Sequence, residues 1–327
     1  MSGLARGVPP LIAYGFLMAA VDVYAGNRLQ TVDPITVAAI AFTLAAAYFL
    51  AGEIGRKGLA GALRPVRGHR HDVIAINIVS AVTWLTLLYA LRQLEPAIVN
   101  VVALSIGPAL VALLGPLLRR GHRVLPGEVA VSLGVLALIG VLMWGSATGM
   151  SGLGRLDSGD AALGLALTLV CGLSCTANVI YSKRLSDAGF TPSSSMAVRY
   201  FLTVAVCWTL LIIGGDPRIG AAILPGAVVA VIGIALPNWL SQVGIKHVEP
   251  ITAALLGTLS PIFAFLMQLL DSRLSPSGLT LAGLVGITIL VTVGVVVRAR
   301  HDRSTTDTSA GGTVAGAATV PAGTGGP

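Results

Sequence analysis

Asp22 is the residue in this sequence that most needs a chemical reason. It lies in the stretch FLMAAVDVYAGN (16–27), preceded by Met18 to Val21 and followed by Val23 and Tyr24. A carboxylate in an apolar run either serves a static hydrogen bond or does chemistry. It can bind and release a proton, or hold the ammonium group of a ligand. Further polar residues recur at helical spacing. Asn77, Ser80 and Trp84 stand at i, i+3 and i+7, on one face of a helix. The stretch LPNWLSQ (236–242) puts Asn238 and Gln242 at i, i+4, with Ser241 beside them and Pro237 just ahead. Asn178 and Arg199 complete the set. Plainer uses compete with each: Ser and Asn bond between packed helices at about 0.6 kcal/mol per contact, and Trp84 could sit at a lipid interface.

The elements that must position these residues follow from composition. The chain of 327 residues is 55% hydrophobic and 11% charged, with a mean hydropathy of +0.86. A soluble domain carries about 25% charged residues, so soluble cores could not hide this much apolar sequence. The chain reads as an all-α polytopic membrane protein. A span needs about 20 predominantly apolar residues, and ten such stretches occur: 9–29, 34–52, 73–91, 97–118, 128–147, 161–182, 193–214, 222–245, 251–270 and 277–298. Each is expected to be helical, because unpaired backbone groups in hydrocarbon cost several kcal/mol apiece. The first has no small-residue cleavage site ahead of it and reads as a span, not a removed signal peptide. Loops are short except 53–72 and 148–160, and from about Ser304 a Gly-, Ala- and Thr-rich tail reads as disordered.

The net charge of +7 does not point to nucleic acid, since the basic residues are scattered over short loops without a basic helix face. It points to orientation. Fifteen Lys and Arg fall on the side of the N-terminus and five on the other, so both termini are expected in the cytoplasm, in a plasma or inner membrane.

The halves resemble each other. TVDPITVAAIAF (31–42) aligns with GFTPSSSMAVRY (189–200), Pro34 over Pro192, and YALRQLEPAIVNVVALSIGPALVALL (89–114) aligns with VGIKHVEPITAALLGTLSPIFAFL (243–266). Each unit holds five helices, so the second enters the membrane from the opposite side, as an inverted repeat. The expected organisation is a first repeat (1–147), a connecting loop (148–160), a second repeat (161–298) and a cytoplasmic tail (299–327).

These repeats, the YALRQLEP and VGIKHVEP junctions and SPIFAFLMQLLDSRLSPSGLTLAGLVGITIL resemble the EamA-type family of the drug/metabolite transporter superfamily over roughly 9–298. The resemblance implies secondary transport, commonly export of small metabolites or amino acids from a central cavity. Family members often carry an arginine about seven residues after the proline opening the second helix of each repeat. Arg199 fits that pattern in the second half, and Ala41 departs from it in the first. Where glutamate often precedes the last helix, this chain has Asp271.

Against that frame Asp22 lies roughly 18 Å into the first span, the only acidic residue inside the spans as drawn. Its insertion costs about 2.5–3.5 kcal/mol, so an aqueous cavity or a partner is expected beside it. A loose alignment of the halves puts Asn178 within one residue of the equivalent position. The stripes of Asn77, Ser80 and Trp84 and of Asn238, Ser241 and Gln242 fall on equivalent helices and are expected to form opposed walls of a cavity, with Pro237 kinking its helix. Arg199, about 10 Å into its span, is expected to snorkel to the interface, with attraction of an anion or a gating role as the alternatives.

Secondary transport of a small, partly polar solute, driven by a proton or solute gradient, is the expected function; a lipid-handling or non-transporting membrane component is the alternative. The sequence has no P-loop, no histidine within a span for a nucleophile and no second buried carboxylate for an acid pair, so neither an enzyme nor a cofactor or metal is expected. Ala282 and Gly286 have the spacing that packs helices within a chain or between the copies of a homodimer.

Overall fold

A computed structural model describes residues 3–118, 126–154, 157–214, 219–245, 247–248 and 250–316. The regular elements among the described residues are all helices, with no strand. In chain order they form α1 (Gly3–Arg28), α2 (Pro34–Gly68), α3 (Arg70–Gln93), α4 (Pro96–Leu118), α5 (Pro126–Thr148) and α6 (Ser158–Asp187). Then come α7 (Pro192–Val198), α8 (Phe201–Gly214), α9 (Ile219–Val228), a π-helical segment (Val229–Ala235), α10 (Leu236–Ile245), α11 (Pro250–Gly257), α12 (Ser260–Gln268) and α13 (Gly278–Gly316). Eight segments among them are long and apolar enough to cross a membrane, and two shorter apolar helices cover Pro96–Gly107 and Leu255–Gln268. This is a membrane protein with several spanning helices.

Two expectations about loops change. The stretch 53–72 is not a loop: α2 runs on to Gly68, bent at Gly58, which adopts φ +68°. Its Leu, Ala, Arg and Lys residues are good helix formers, and a nucleated helix lengthens at little cost. Helix α13 likewise continues to Gly316, past Ser304 where the disordered tail was expected to begin; 317–327 lie outside the described residues.

Helices α3 and α6 form the most extensive pairing and run antiparallel. Arg184 meets Asp72 at one end, and Gly164 packs on Leu94 at the other. Helix α1 lies against α10 and α12, α2 against α7, α8 and α9, and α5 against α13. Phe42, Ile76, Leu88, Leu91, Ile98 and Ile234 are fully buried between these layers. Gly286 faces Leu138 of α5, whereas Ala282 is exposed.

The second half is interrupted three times where the first is continuous. Pro237 lacks an N–H and its ring crowds the carbonyl of the preceding turn; the expected kink takes the form of the π-helical segment directly before it. Pro261 follows the break at 258–259 between α11 and α12. The break at 199–200 has neither Pro nor Gly, and its cause is a side chain described below.

Close approach of α4 and α6 depends on Gly172. A Cβ there would stand 2.8 Å from the Ala103 carbonyl oxygen and 3.1 Å from its Cα, both backbone atoms that cannot swing aside. Gly172→Ala is expected to lower stability by about 1–3 kcal/mol in thermal unfolding of the purified protein. Gly140→Ala, where nothing lies within 4 Å of the added carbon, is the control and should be neutral or stabilising by up to about 1 kcal/mol.

Candidate functional site

The seam between α3 and α6 gathers four of the polar residues singled out in the sequence. Asn77 explains the break in the seventh apolar segment. Its Nδ2 donates to the Val198 carbonyl at 2.7 Å, and its Oδ1 accepts from the Leu202 N–H at 3.1 Å. Leu202 N–H and Val198 carbonyl are the i→i−4 partners of an unbroken helix. The Asn77 amide is thus spliced into the ladder and satisfies both ends, a recognised cause of kinks. Asn77 therefore serves the backbone of a neighbouring helix.

The splice turns Arg199 inward. Its Nε donates to Ser80 Oγ at 3.3 Å, its Nη2 to Asn178 Oδ1, and its Nη1 to Met196 Sδ at 3.5 Å, while Tyr200 lies 5.7 Å beneath its guanidinium carbon. Asn178 Nδ2 closes the ring by donating to Ser80 Oγ at 3.2 Å. Arg199 is only 7% exposed. It does not snorkel, because the break and these three acceptors hold it in the interior.

Asp22 is 3% exposed and accepts a 2.6 Å hydrogen bond from Asn100 Nδ2 on α4. Asn100 Oδ1 is buried without a partner among the described residues, as is Thr83 Oγ1 on α3. Cys175 of α6 lies beside Cys171 and Thr83 and close to Asp22. Thr83 and Cys175 stand three residues from Ser80 and Asn178 respectively, about 4.5 Å of helix rise. Thr83 and Cys175 thus lie one turn along the seam from the Arg199 ring.

The remaining residues fall elsewhere. Trp84 packs edge-on against Phe42, ring centroids 5.2 Å apart, inside the core. Asn238 donates to the Ile234 carbonyl at 2.6 Å, next to the proline that disturbs this helix, and lines a groove of about 1410 Å³ between α2, α7 and the π-helical region. Ser241 is half-buried one turn on, and the Gln242 side chain lies outside the described residues. The two stripes therefore do not face each other across one cavity: Asn77 and Ser80 are used up inside the α3–α6–α7 junction, and Asn238 faces the groove.

Two polar knots at opposite ends of the bundle escaped the sequence reading. Glu53, 1% exposed in the extended α2, binds Arg56, Lys57 at 2.8 Å and Ser194 Oγ at 2.8 Å. Arg56 reaches Ser193 at 2.6 Å, so the end of α2 is tied to the start of α7. At the other end Glu95, also 1% exposed, accepts from the Gly152 N–H, from Gln268 Nε2 at 2.9 Å and from Thr280 Oγ1 at 3.1 Å. Burial pushes the Glu95 carboxyl above its ordinary value against the pull of those donors. Beside it Arg273 clasps Asp271 at 2.5 Å, and Asn27 adds a bond at 3.1 Å. Burial also pushes Asp271 up, but here the donors from Arg273 and Asn27 prevail and hold its carboxyl below the usual range. Asn100 carried a visible signal, an amide within the apolar run PAIVNVVAL. Glu53 did not, since it stands among Gly, Arg and Lys at what read as a loop. Among the described residues no cluster of three or more His, Cys, Asp or Glu could hold a metal ion.

Residues 162–296 match the EamA-like transporter family. The matched region covers α6 to α13 up to 296, including Asn178, Arg199 and the three interruptions. Members of that family are transporters, not enzymes. No curated protein matches the chain. A solved crystal structure, described only as that of a protein, matches with a TM-score of 0.56 at 21% identity, over 90% of this chain and 99% of that one. At that identity the likeness is one of fold, and it extends over the first half, which the family match does not reach.

The splice and the clasp each give a test. Asn77→Ala should cost about 1–3 kcal/mol in thermal unfolding, because Val198 and Leu202 lose their partner. Asn77→Asp should cost more, since it loses the same donor and also sets a buried carboxylate oxygen against the Val198 carbonyl. Because the folded Asp271 carboxyl titrates below its unfolded value of about 3.9, its contribution is present above that pH and is lost as pH falls through the folded value. The stability gap between the wild type and Asp271→Asn should therefore be full at pH 7 and shrink in acid below about pH 4. A gap that is independent of pH would contradict the assignment.

Proposed function

We propose that this chain is a secondary transporter of the cell membrane that exports a small, partly polar metabolite or amino-acid-like compound by alternating access, with Asp22 exchanging a proton or a substrate ammonium group. The observation that carries the reading is the buried pair of Asp22 and Asn100. It places a carboxylate, the unpartnered Asn100 Oδ1 and the nearby unpartnered Thr83 Oγ1 within one apolar interior. The carboxylate and the amide oxygen are acceptors and the hydroxyl can accept as well as donate, so a donor-rich group such as an ammonium or an added proton matches them. An intramembrane carboxylate is expensive and is retained for use.

In this reading the bundle has ten spans, both termini in the cytoplasm and two inverted five-helix repeats. The short apolar helices Pro96–Gly107 and Leu255–Gln268 supply the fourth and ninth spans. Support comes from the charge asymmetry of the loops, from the family match over the second half and from the broken helices of that half, which transporters use at their binding sites. The Glu53 and Glu95 knots, at opposite ends, are the contacts that would open in turn.

One observation favours a second reading, handling of a lipid or another membrane-dissolved compound. The groove beside Asn238 is lined by exposed apolar residues of membrane-length segments, including Leu44, Val231 and Leu236, and so opens sideways.

Proteoliposome uptake of labelled amines and amino acids under an imposed pH gradient separates these readings. The wild type should accumulate at least one such compound in response to the gradient. Asp22→Asn, which preserves size and can keep a bond to Asn100, should lose gradient-driven accumulation by about 10²-fold or more, the scale of a proton-transfer group. Equal gradient-driven uptake by both variants would remove Asp22 from the mechanism.

A further inference from the structure

Arg199 has a charge that the protein does not balance. The ion pairs among the described residues involve Arg56, Lys57, Lys183, Arg184 and Arg273, and none involves Arg199. Its three hydrogen-bond acceptors are a hydroxyl, an amide oxygen and a thioether, all neutral. A buried cation without a counter-charge is costly in a low-dielectric interior, where the same attraction that water would screen becomes strong. The weakest of the three contacts is the thioether, a poor acceptor by comparison with any oxygen anion, at 3.5 Å from Nη1.

That thioether belongs to Met196, and Met196 is also a wall of the groove of about 1410 Å³. One flexible side chain therefore stands between an unbalanced guanidinium and a sideways-opening cleft. The rest of the lining is mainly apolar and aromatic, with Leu44, Tyr48, Phe49, Leu236 and Trp239 among its members. The groove's own cation, Arg56 at the rim, is already paired with Glu53.

We infer that the groove is a binding site for an amphiphilic organic monoanion, its carboxylate displacing Met196 from Arg199 and its apolar body lying along Tyr48, Leu236 and Trp239. A single guanidinium neutralises a single charge, and its planar fork suits a carboxylate. The lateral opening lets such a ligand enter from the bilayer, where an amphiphile concentrates. Methionine suits the doorway because its unbranched thioether repacks readily. This site is separate from Asp22 and does not depend on the transport reading.

The test uses the full-length protein in nanodiscs of zwitterionic lipid, titrated with dodecanoate, dodecanol and dodecylamine, which share one tail and differ in head group. Thermal unfolding is the readout. Dodecanoate should raise the unfolding temperature saturably, and the two other compounds should not. Arg199→Gln should raise the half-saturating dodecanoate concentration at least tenfold, Trp239→Ala severalfold, and Arg56→Gln and Asp22→Asn by less than twofold. Equal stabilisation by dodecanol or dodecylamine would overturn the site on the wild type alone. So would unchanged dodecanoate binding in Trp239→Ala, a groove variant that leaves the Arg199 contacts intact should Arg199→Gln fail to fold.

Discussion

The Asn77 amide, set between the Val198 carbonyl and the Leu202 N–H, is the contact on which the interior arrangement depends. In hydrocarbon an open pair of backbone groups would be prohibitively costly, so a break inside an apolar segment can persist only where another group completes it. Asn77 does that at 199–200 and leaves Arg199 facing Ser80 and Asn178 instead of continuing a helix surface. One amide on α3 thereby sets the shape of α7 and α8 and puts a fixed positive charge in the seam with α6. One turn along the same seam, Thr83 and Cys175 approach the Asp22 region on α1. Asp22 and Arg199 form no ion pair with each other among the described residues.

The interruptions fall unequally on the two halves of the chain. Helices α2, α3 and α4 are continuous through their apolar segments, whereas later apolar segments are interrupted at 199–200, at Val229–Ala235 and at 258–259. Interruptions concentrate bending at a few residues, which is where rigid segments can hinge. The polar knots at the ends complement this. Glu53 ties α2 to α7 across the two halves, and Glu95 ties the start of α4 to the loop before α6 and to α12 and α13. Both are carboxylates surrounded by donors, contacts that are strong when made yet leave soluble partners when separated at a bundle end.

What could be read from the sequence was what hydrocarbon forces. Composition and apolar run length gave a helical membrane protein. Asp22, Asn77, Ser80, Asn178 and Arg199 stood out because polar groups in apolar runs must find partners, and the structure buries all of them but Asn178, which is half-buried. Pairing was not legible. The stripe containing Asn77 and Ser80 carries the same residue types whether it lines a cavity or serves a neighbouring backbone, and only the three-dimensional register of α3 on α7 decides. The expected snorkelling of Arg199 failed for the same reason, because the splice by Asn77 reverses the side that depth alone would favour. Glu53 was hidden because both apolar content and helix propensity fall through the glycine-rich GEIGRKGLAGAL, yet α2 continues across it with its break at Gly58. Pro237 was legible as a disturbance, since a missing N–H acts locally and needs no knowledge of neighbours.

The claim at the centre of this account is that Asp22 belongs to a ligand site and is not a packing group. Ligand-dependent thermal unfolding tests it most directly: purified wild type and Asp22→Asn are compared against a library of amines, amino acids and neutral analogues at two pH values. A ligand present at 100 times its dissociation constant adds about 2.7 kcal/mol of stability, a shift that unfolding resolves easily. The account predicts that amine-bearing compounds stabilise the wild type in a pH-dependent manner and leave Asp22→Asn unmoved. If both proteins respond alike to every stabilising compound, Asp22 is structural and the central claim is wrong.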